Sequence, residues 1–424
     1  MFLNLGRVPG FIVVLYVALC SWAAPVAAQQ RVPLTIAEAG DLALSEEPGS
    51  RALLARASAL EDHAVAARQL PDPVMRIGLA NFPIEGGGFS TEGMTQAQLG
   101  IRQVFPRARS PMADRFQGQA EALTFDADAR RREVLAAVRF AWLETYYAQQ
   151  AEALLTEKRP FFADLVTTTE SLYSVGRKSQ HDVLRAELEL SRLDDRLLEI
   201  HRTREESRAM LSRWLGNDAY RPLAMSLPAW SELPSLEQLR AGLETHPALA
   251  AADAGISARQ AAVRAAEERK KPGWALDVGY GYREGFLPSG EPRSDFVSVS
   301  VTVDLPLFQD NRQDRQLAAA LSERRAAIDS QAELRARLGS ELDAEYARWR
   351  DLSRRLELYE TRILGQSNSQ AQAALRAYQS DAGDFADLMR AYIDELNARL
   401  EHLRLQVDRA QRYAVLANLG GIEQ

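Results

Sequence analysis

Four valines set the tightest limit on what this chain can fold into. Val297, Val299, Val301 and Val303 alternate with Ser298, Ser300, Thr302 and Asp304. Side chains of an extended strand point to opposite faces in turn, so a strict period of two predicts a strand with one apolar and one polar face. Upstream, Trp274, Leu276, Val278, Tyr280 and Tyr282 alternate with Ala275, Asp277, Gly279 and Gly281. The pattern appears more weakly near the N-terminus. There Met75, Ile77 and Leu79 alternate with Arg76, Gly78 and Ala80, and Ala97, Leu99 and Ile101 with Gln98, Gly100 and Arg102. Each run is roughly ten residues, the length a tilted strand needs to cross a bilayer. A half-buried sheet in a water-soluble domain produces the same alternation. If the strands do cross a membrane, four are too few, because the smallest closed barrels have about eight. An open edge in lipid would leave backbone groups unpaired. Chains must then combine, and three of them would supply about twelve strands, an even and closable number.

The N-terminus reads as an export signal. Arg7 precedes an apolar run from Phe11 to Leu19, followed by small residues from Ala23 to Ala28. A charged start, a short apolar core and a small-residue cleavage site make a secretory leader over 1–28, cut before Gln29. The apolar run is short of the ~20 residues a spanning helix needs, which sets aside the alternative of a retained anchor. Cys20, the single cysteine, lies inside this leader. Leu19 stands where lipoprotein processing requires a small residue, so no lipid anchor is expected. The mature chain would then have neither disulfides nor thiolate metal sites. No later segment approaches the length and apolarity of a membrane helix.

The chain repeats itself. Pro106 with Asp114-Arg115 recurs as Pro306 with Asp314-Arg315, and Tyr173 with Asp182–Ala186 recurs as Tyr378 with Asp387–Ala391, at nearly the same offset. Two matches in one order predict an internal duplication. The first repeat is expected over 29–221, with helical pattern over 35–70, a β-hairpin at 74–105 and a long helical hairpin at 110–216. A linker bearing Pro222, Pro228 and Pro234 spans 222–234. The second repeat is expected over 235–424, with helical pattern over 235–271, a β-hairpin at 274–305 and a long helical hairpin at 310–419. Pro71, Pro73, Pro106, Pro272 and Pro306 mark where strand meets helix, and the hairpin tips at 85–93 and 284–293 are polar and glycine-bearing.

Length is the notable property of the helices. No proline occurs between Met112 and Arg159, or after Pro306. A helix of about 65 residues would approach ~100 Å. Val134, Val138, Ala141, Trp142 and Tyr146 recur at helical spacing, as packing against neighbouring helices requires. Other chemistry is missing. The net charge of −7 argues against nucleic acid as a partner. His63, His181, His201, His246 and His402 are scattered, with no second histidine at metal-ligand spacing. There is no phosphate loop or nucleophile elbow, and no cofactor is indicated.

These features together resemble the TolC-type outer-membrane factors. Tyr173-Ser-Val-Gly176 followed by Asp182-Val183-Leu184 is similar to the family's signature at a helix–helix turn. Asp304-Leu-Pro-Leu-Phe308 with Arg312 is similar to its strand-to-helix crossing, and His246-Pro247-Ala-Leu249 leading to Gly279-Tyr280-Gly281 is a further match. In the first half, Gln69-Leu-Pro-Asp-Pro73, Asn81-Phe-Pro83, Met94-Thr95 and Gln103-Val-Phe-Pro106 resemble the heavy-metal-efflux branch.

The resemblance implies a fold that is mainly α with β: a long α-helical coiled-coil tunnel plus four transmembrane strands per chain, completed by a trimer into a twelve-stranded barrel. It implies a place in the outer membrane of a Gram-negative cell, extending into the periplasm. The expected partners are two further copies of the chain, outer-membrane lipid, a periplasmic adaptor, and an inner-membrane pump of the resistance–nodulation–division type. The duct would open like an iris and pass cargo without catalysing a reaction. Its gate would lie at the second helical turn, where Tyr378 holds the tips closed and Asp387 forms an acidic ring. Arg390 stands where the family often has a second aspartate, and Asp381 and Asp384 are candidates for the missing charge. These aspartates are equally compatible with helix capping. The first helical turn carries Tyr173, Gly176 and Asp182. Heavy-metal cations are the expected cargo, with drugs or proteins of a type I secretion system as alternatives. A periplasmic adaptor with a coiled-coil hairpin is the rival reading, against which the duplication and the apolar strand faces count.

Overall fold

A computed structural model describes residues 32–45, 47–228, 230, 232–380 and 382–422. The leader at 1–28 and Asp381 lie outside the described residues. Helices α1 (Ile36–Ser45) and α2 (Pro48–Arg68) lead into strands β1 (Val74–Ala80) and β2 (Gln96–Phe105), followed by α3 (Arg109–Ser174) and α4 (Gln180–Leu215). After a 3-10 turn come α5 (Leu236–Leu243), α6 (Pro247–Glu268), β3 (Trp274–Tyr282) and β4 (Phe296–Val303). Helix α7 (Gln313–Leu358), a π-turn (Tyr359–Ile363) and α8 (Leu364–Gln379) run on without a break, and α9 (Phe385–Gly420) returns alongside. The 66 residues of α3 span about 100 Å at the usual rise. None of the described helices is long and apolar enough to cross a membrane.

The strands form one antiparallel sheet in the order β1-β2-β3-β4. Register aligns Ile77, Leu99, Tyr280 and Val297 in one row and Met75, Ile101, Val278 and Val299 in another. The alternation read from sequence therefore becomes a continuous apolar face. Among the described residues no helix packs on the sheet, and Ile77 and Val297 stay about three-quarters exposed at 73% and 75%. Phe105 and Trp274 stack at the helical end of that face, with ring centroids 4.0 Å apart.

Helix α3 is the spine. It packs against α2 and α6 near the sheet and against α4 and α9 farther away. Midway, the buried Trp142 stacks on Tyr146 at 5.5 Å and donates its indole N–H to the Leu34 carbonyl at 3.1 Å. Leu34 forms a parallel bridge with Leu223, so the start of the described chain and the proline-bearing linker close over the same core. Trp230 from that linker stacks on Tyr413 of α9 at 5.2 Å.

Ion pairs then fix the long helices laterally. Glu144 of α3 accepts two bonds from the Arg404 guanidinium of α9, at 2.7 and 2.9 Å, and a third from Gln411 at 2.6 Å. Arg404 also donates to Asp408 at 2.7 Å and lies over the Tyr147 ring. Burial alone would raise the Glu144 pKa, but the bonds from Arg404 and Gln411 outweigh it and hold the carboxyl below the usual carboxylate range. Arg159 clamps Asp194 of α4 with bonds of 2.7 and 3.0 Å, beside the helix-interior Pro160. A proline there removes one ladder hydrogen bond.

The helical pattern over 35–70 resolves into two helices and not one. Glu47 takes an extended backbone, caps the Ser50 N–H, and is followed by Pro48 at the first helical position. A residue before proline is pushed out of the α region, so the chain stops and restarts there. The pattern over 235–271 breaks for the same reason at His246–Pro247, where the His246 ring accepts from the Ala248 N–H at 3.2 Å. The Ser235–Gln238 capping box starts the short helix before it.

Candidate conducting path and its closing turns

The face of the sheet opposite the apolar rows is polar. Its rows run Arg76, Gly100, Gly279, Ser298 and, next to it, Val74, Arg102, Asp277, Ser300. The glycines leave a groove of about 430 Å³ along this face. Arg102 pairs with Asp277 at 3.9 Å, and Asp277 also accepts from Thr302 at 3.2 Å. Amphipathic strands with one face for lipid and one for water are what a membrane barrel needs.

At the far end of the helices, two turns lie together. In the first, α3 ends as Gly176 adopts φ +73, its N–H reaching the Tyr173 carbonyl and that of Arg177 reaching Leu172. An L side chain is disfavoured at that φ, which is why glycine stands there. Helix α4 then starts with a capping box: the Asp182 carboxylate accepts from the Ser179 N–H, and the Ser179 hydroxyl accepts from the Asp182 N–H. Asp182 is thereby occupied locally, as capping residues are. Tyr173 and Val175 stay exposed.

In the second turn, Gly383 packs so closely that a Cβ would meet Ala377 at 2.9 Å. Asp384 occupies the N-cap position of α9 by its backbone geometry, without a side-chain cap bond. Phe385, Leu388 and Met389 are fully buried against α3 and α4, anchoring the start of α9. Asp387 and Arg390, one turn apart on its exposed face, pair at 3.1 Å. Tyr378 meets Phe385 edge-on at 5.8 Å, and Lys178 of the first turn sits over the Tyr378 ring at 4.8 Å. The structure thus brings Tyr378, Asp384, Asp387 and Arg390 into one turn and Tyr173, Gly176 and Asp182 into its neighbour. Lys178 joins the two and was not singled out from sequence, since nothing in its own neighbourhood signals a partner two hundred residues away. The Arg102–Asp277 pair was likewise unmarked, although the strand alternation already put both on the polar face.

Solved structures share this architecture. The outer-membrane channel OprN matches with a TM-score of 0.77 at 20% identity, covering 91% of this chain and 89% of that one. CusC, described in terms of folding and transmembrane channel formation, matches at 0.77 and 15% identity over 92% of each chain. At such identities the likeness establishes the fold. Protein CyaE of Bordetella pertussis is 28% identical over 419 residues, covering 94% of this chain and 87% of its own length. The family model for outer membrane efflux proteins matches residues 239–421. Residues 239–421 thus carry the pattern of outer membrane efflux proteins, within a chain that has the fold of the TolC-type channels. The matched family model and the shared channel fold place the chain in the outer membrane as a passive duct and not an enzyme.

Proposed function

We propose that this efflux protein is one protomer of a homotrimeric exit duct in a tripartite efflux system. The observation that carries the reading is the open four-stranded sheet, apolar on one face and polar on the other, which no described helix covers. Strands β1 and β4 are its free edges, and pairing β4 of each chain with β1 of the next removes them in lipid. Three copies close a barrel about 24 Å across between backbones at usual strand spacing and tilt. The apolar rows then face lipid, the polar rows line water, and the helices extend into the periplasm. A periplasmic adaptor would dock on the helical end, and a resistance–nodulation–division pump in the inner membrane would supply the energy.

The two turns form the periplasmic gate in this reading. Tyr378, held between Lys178 and Phe385, ties the turns together within a chain. Three copies of Asp387 would face a common axis, and Arg390 on the same helix offsets much of their charge. Asp384 adds a carboxylate close by, and Asp381 belongs to the same segment. The division into two repeats around the 222–234 linker gives each half one hairpin and one helical turn.

Heavy-metal cations are the cargo favoured by the motifs between Gln69 and Pro106. Drug efflux and type I protein secretion are the alternatives. Two experiments test the reading. Cross-linking of outer-membrane extracts should yield a trimer, and a stable membrane-spanning monomer would contradict the barrel. A deletion strain should become sensitive to copper, silver, zinc, cobalt or cadmium and be rescued by the gene. Sensitivity to dyes and detergents alone would keep the duct and discard the metal cargo.

A further inference from the structure

We infer that Arg76 gives the barrel lumen a preference for anionic cargo, carrying a carboxylate, phosphate or sulfonate, over free cations. The inference rests on the exit-duct reading alone, adds to it the sign of the wall, and counts against the heavy-metal cations favoured by the motifs.

The polar face of the four described strands carries three charged side chains: Arg76, Arg102 and Asp277. Arg102 and Asp277 pair with one another. Arg76 has no ion-pair or hydrogen-bond partner among the described residues, so one unneutralised positive charge remains per chain within the strands; Asp304 continues the polar face past the end of β4, about 20 Å along the strand from the Arg76 row at the usual rise. Its row supplies no other charge, because Gly100, Gly279 and Ser298 continue it across the sheet. The guanidinium therefore has the open groove to extend along, with Gln98 and Ser300 on the groove walls.

Position makes this charge count. In the trimer Arg76 becomes a ring of three on a lumen whose radius, after side chains, is comparable to the Debye length of about 10 Å at 0.1 M salt. The loops beyond the strands are acidic, with Glu85, Glu92, Glu284, Glu291 and Asp295 against Arg283 and Arg293. Arg76 lies four residues inside the end of β1 at Ala80, about 13 Å at the usual strand rise, so salt screens the rim from the ring. At the other end of the path, Asp387 is paired with Arg390. The barrel wall then carries an uncompensated positive sign of its own, separate from the Asp384 carboxylate at the helical mouth, and charged rings of this kind set selectivity in pores.

The test is single-channel recording of the reconstituted full-length protein in asymmetric 0.1 M KCl, comparing wild type with R76K, R76Q and R76E. R76E should shift the cation-to-anion permeability ratio toward cations by about threefold, R76Q by less, and R76K should leave it unchanged. If R76E and R76Q conduct with the wild-type ratio, the inference is overturned and the duct stands. If R76K shifts the ratio as far as R76Q, shape and not charge is responsible, which also overturns it. If the wild-type protein forms no conducting channel, the duct reading fails and this inference falls with it.

Discussion

Glu144→Gln is the substitution with the most informative cost. The carboxylate accepts two parallel bonds from Arg404 and one from Gln411, at 2.6 to 2.9 Å. Charge-assisted bonds are worth about 1.5–3 kcal/mol each where water is excluded. Here the two side chains keep 27% and 22% of their exposure, so solvent screens part of that. Asp408 remains with Arg404 after the substitution, so the guanidinium is not left alone. The expected loss is about 2 kcal/mol, concentrated where α3 meets α9. Global melting of a membrane trimer is a poor readout because it is commonly irreversible. Hydrogen exchange reports the local opening free energy of amides in both helices at equilibrium. A cycle with Arg404→Met isolates the pair, and its coupling should be about 2 kcal/mol. Additive single substitutions, or a change below about 0.5 kcal/mol, would refute the assignment of this network as the lateral lock. Acid provides a second arm. Because the folded pKa of Glu144 is lowered, its contribution is present above the ordinary carboxylate value of about 4.3 and is lost as pH falls through the lower folded value. Opening of the wild-type α3–α9 contact should rise over that acid range, and E144Q should respond less.

Five further substitutions probe the faces, the gate and the core. Val299→Arg places a cation on the lipid-facing row and should cost about 2–4 kcal/mol if near the bilayer centre, whereas Ser298→Arg on the polar row should assemble normally. Equal trimer yields on cross-linking would reverse the face assignment. Arg390→Ala should unmask Asp387 and raise cation preference in single-channel recordings, and Asp387→Ala should lower it. Unchanged selectivity in both would remove these residues from the gate. Trp142→Ala should cost about 3–5 kcal/mol by opening a cavity beside Leu34 and Tyr146, measured as faster hydrogen exchange in α1 and the middle of α3.

The strands were legible because their pattern is local. Val297 to Val303 needs nothing beyond period two, and β3 has the limits the alternation predicts, from Trp274 to Tyr282. Great helical length was equally visible in the absence of proline, and α3 tolerates the one in its interior at Pro160. The breaks at Glu47–Pro48 and His246–Pro247 were carried by dipeptides whose effect on the preceding residue outweighs the helical periodicity around them. At the second turn, the spacing of Asp387 and Arg390 already puts them one turn apart on a helix. Arg390 registers in sequence as a departure from an acidic pattern, and its role as a neutralising partner emerges only with the geometry. What sequence could not supply are meetings between distant segments. The Trp142 indole on the Leu34 carbonyl, Lys178 over Tyr378 and the Glu144–Arg404 lock each join residues whose own surroundings carry no sign of the other.

Helix α3 has a mechanical consequence of its own. It runs unbroken from the end of β2 to the first turn, so a tilt of one degree about its upper end sweeps its tip through roughly 1.7 Å over its ~100 Å length. The companion rod of α7 and α8 differs in kind, because the π-turn at Tyr359–Ile363 interrupts its regular ladder. One turn is therefore carried on a continuous α-helix that loses a single ladder bond at Pro160, and the other on a lever with a wider, more compliant joint. Small forces applied at the periplasmic end will separate into a rigid swing of the first turn and a bend beneath the second.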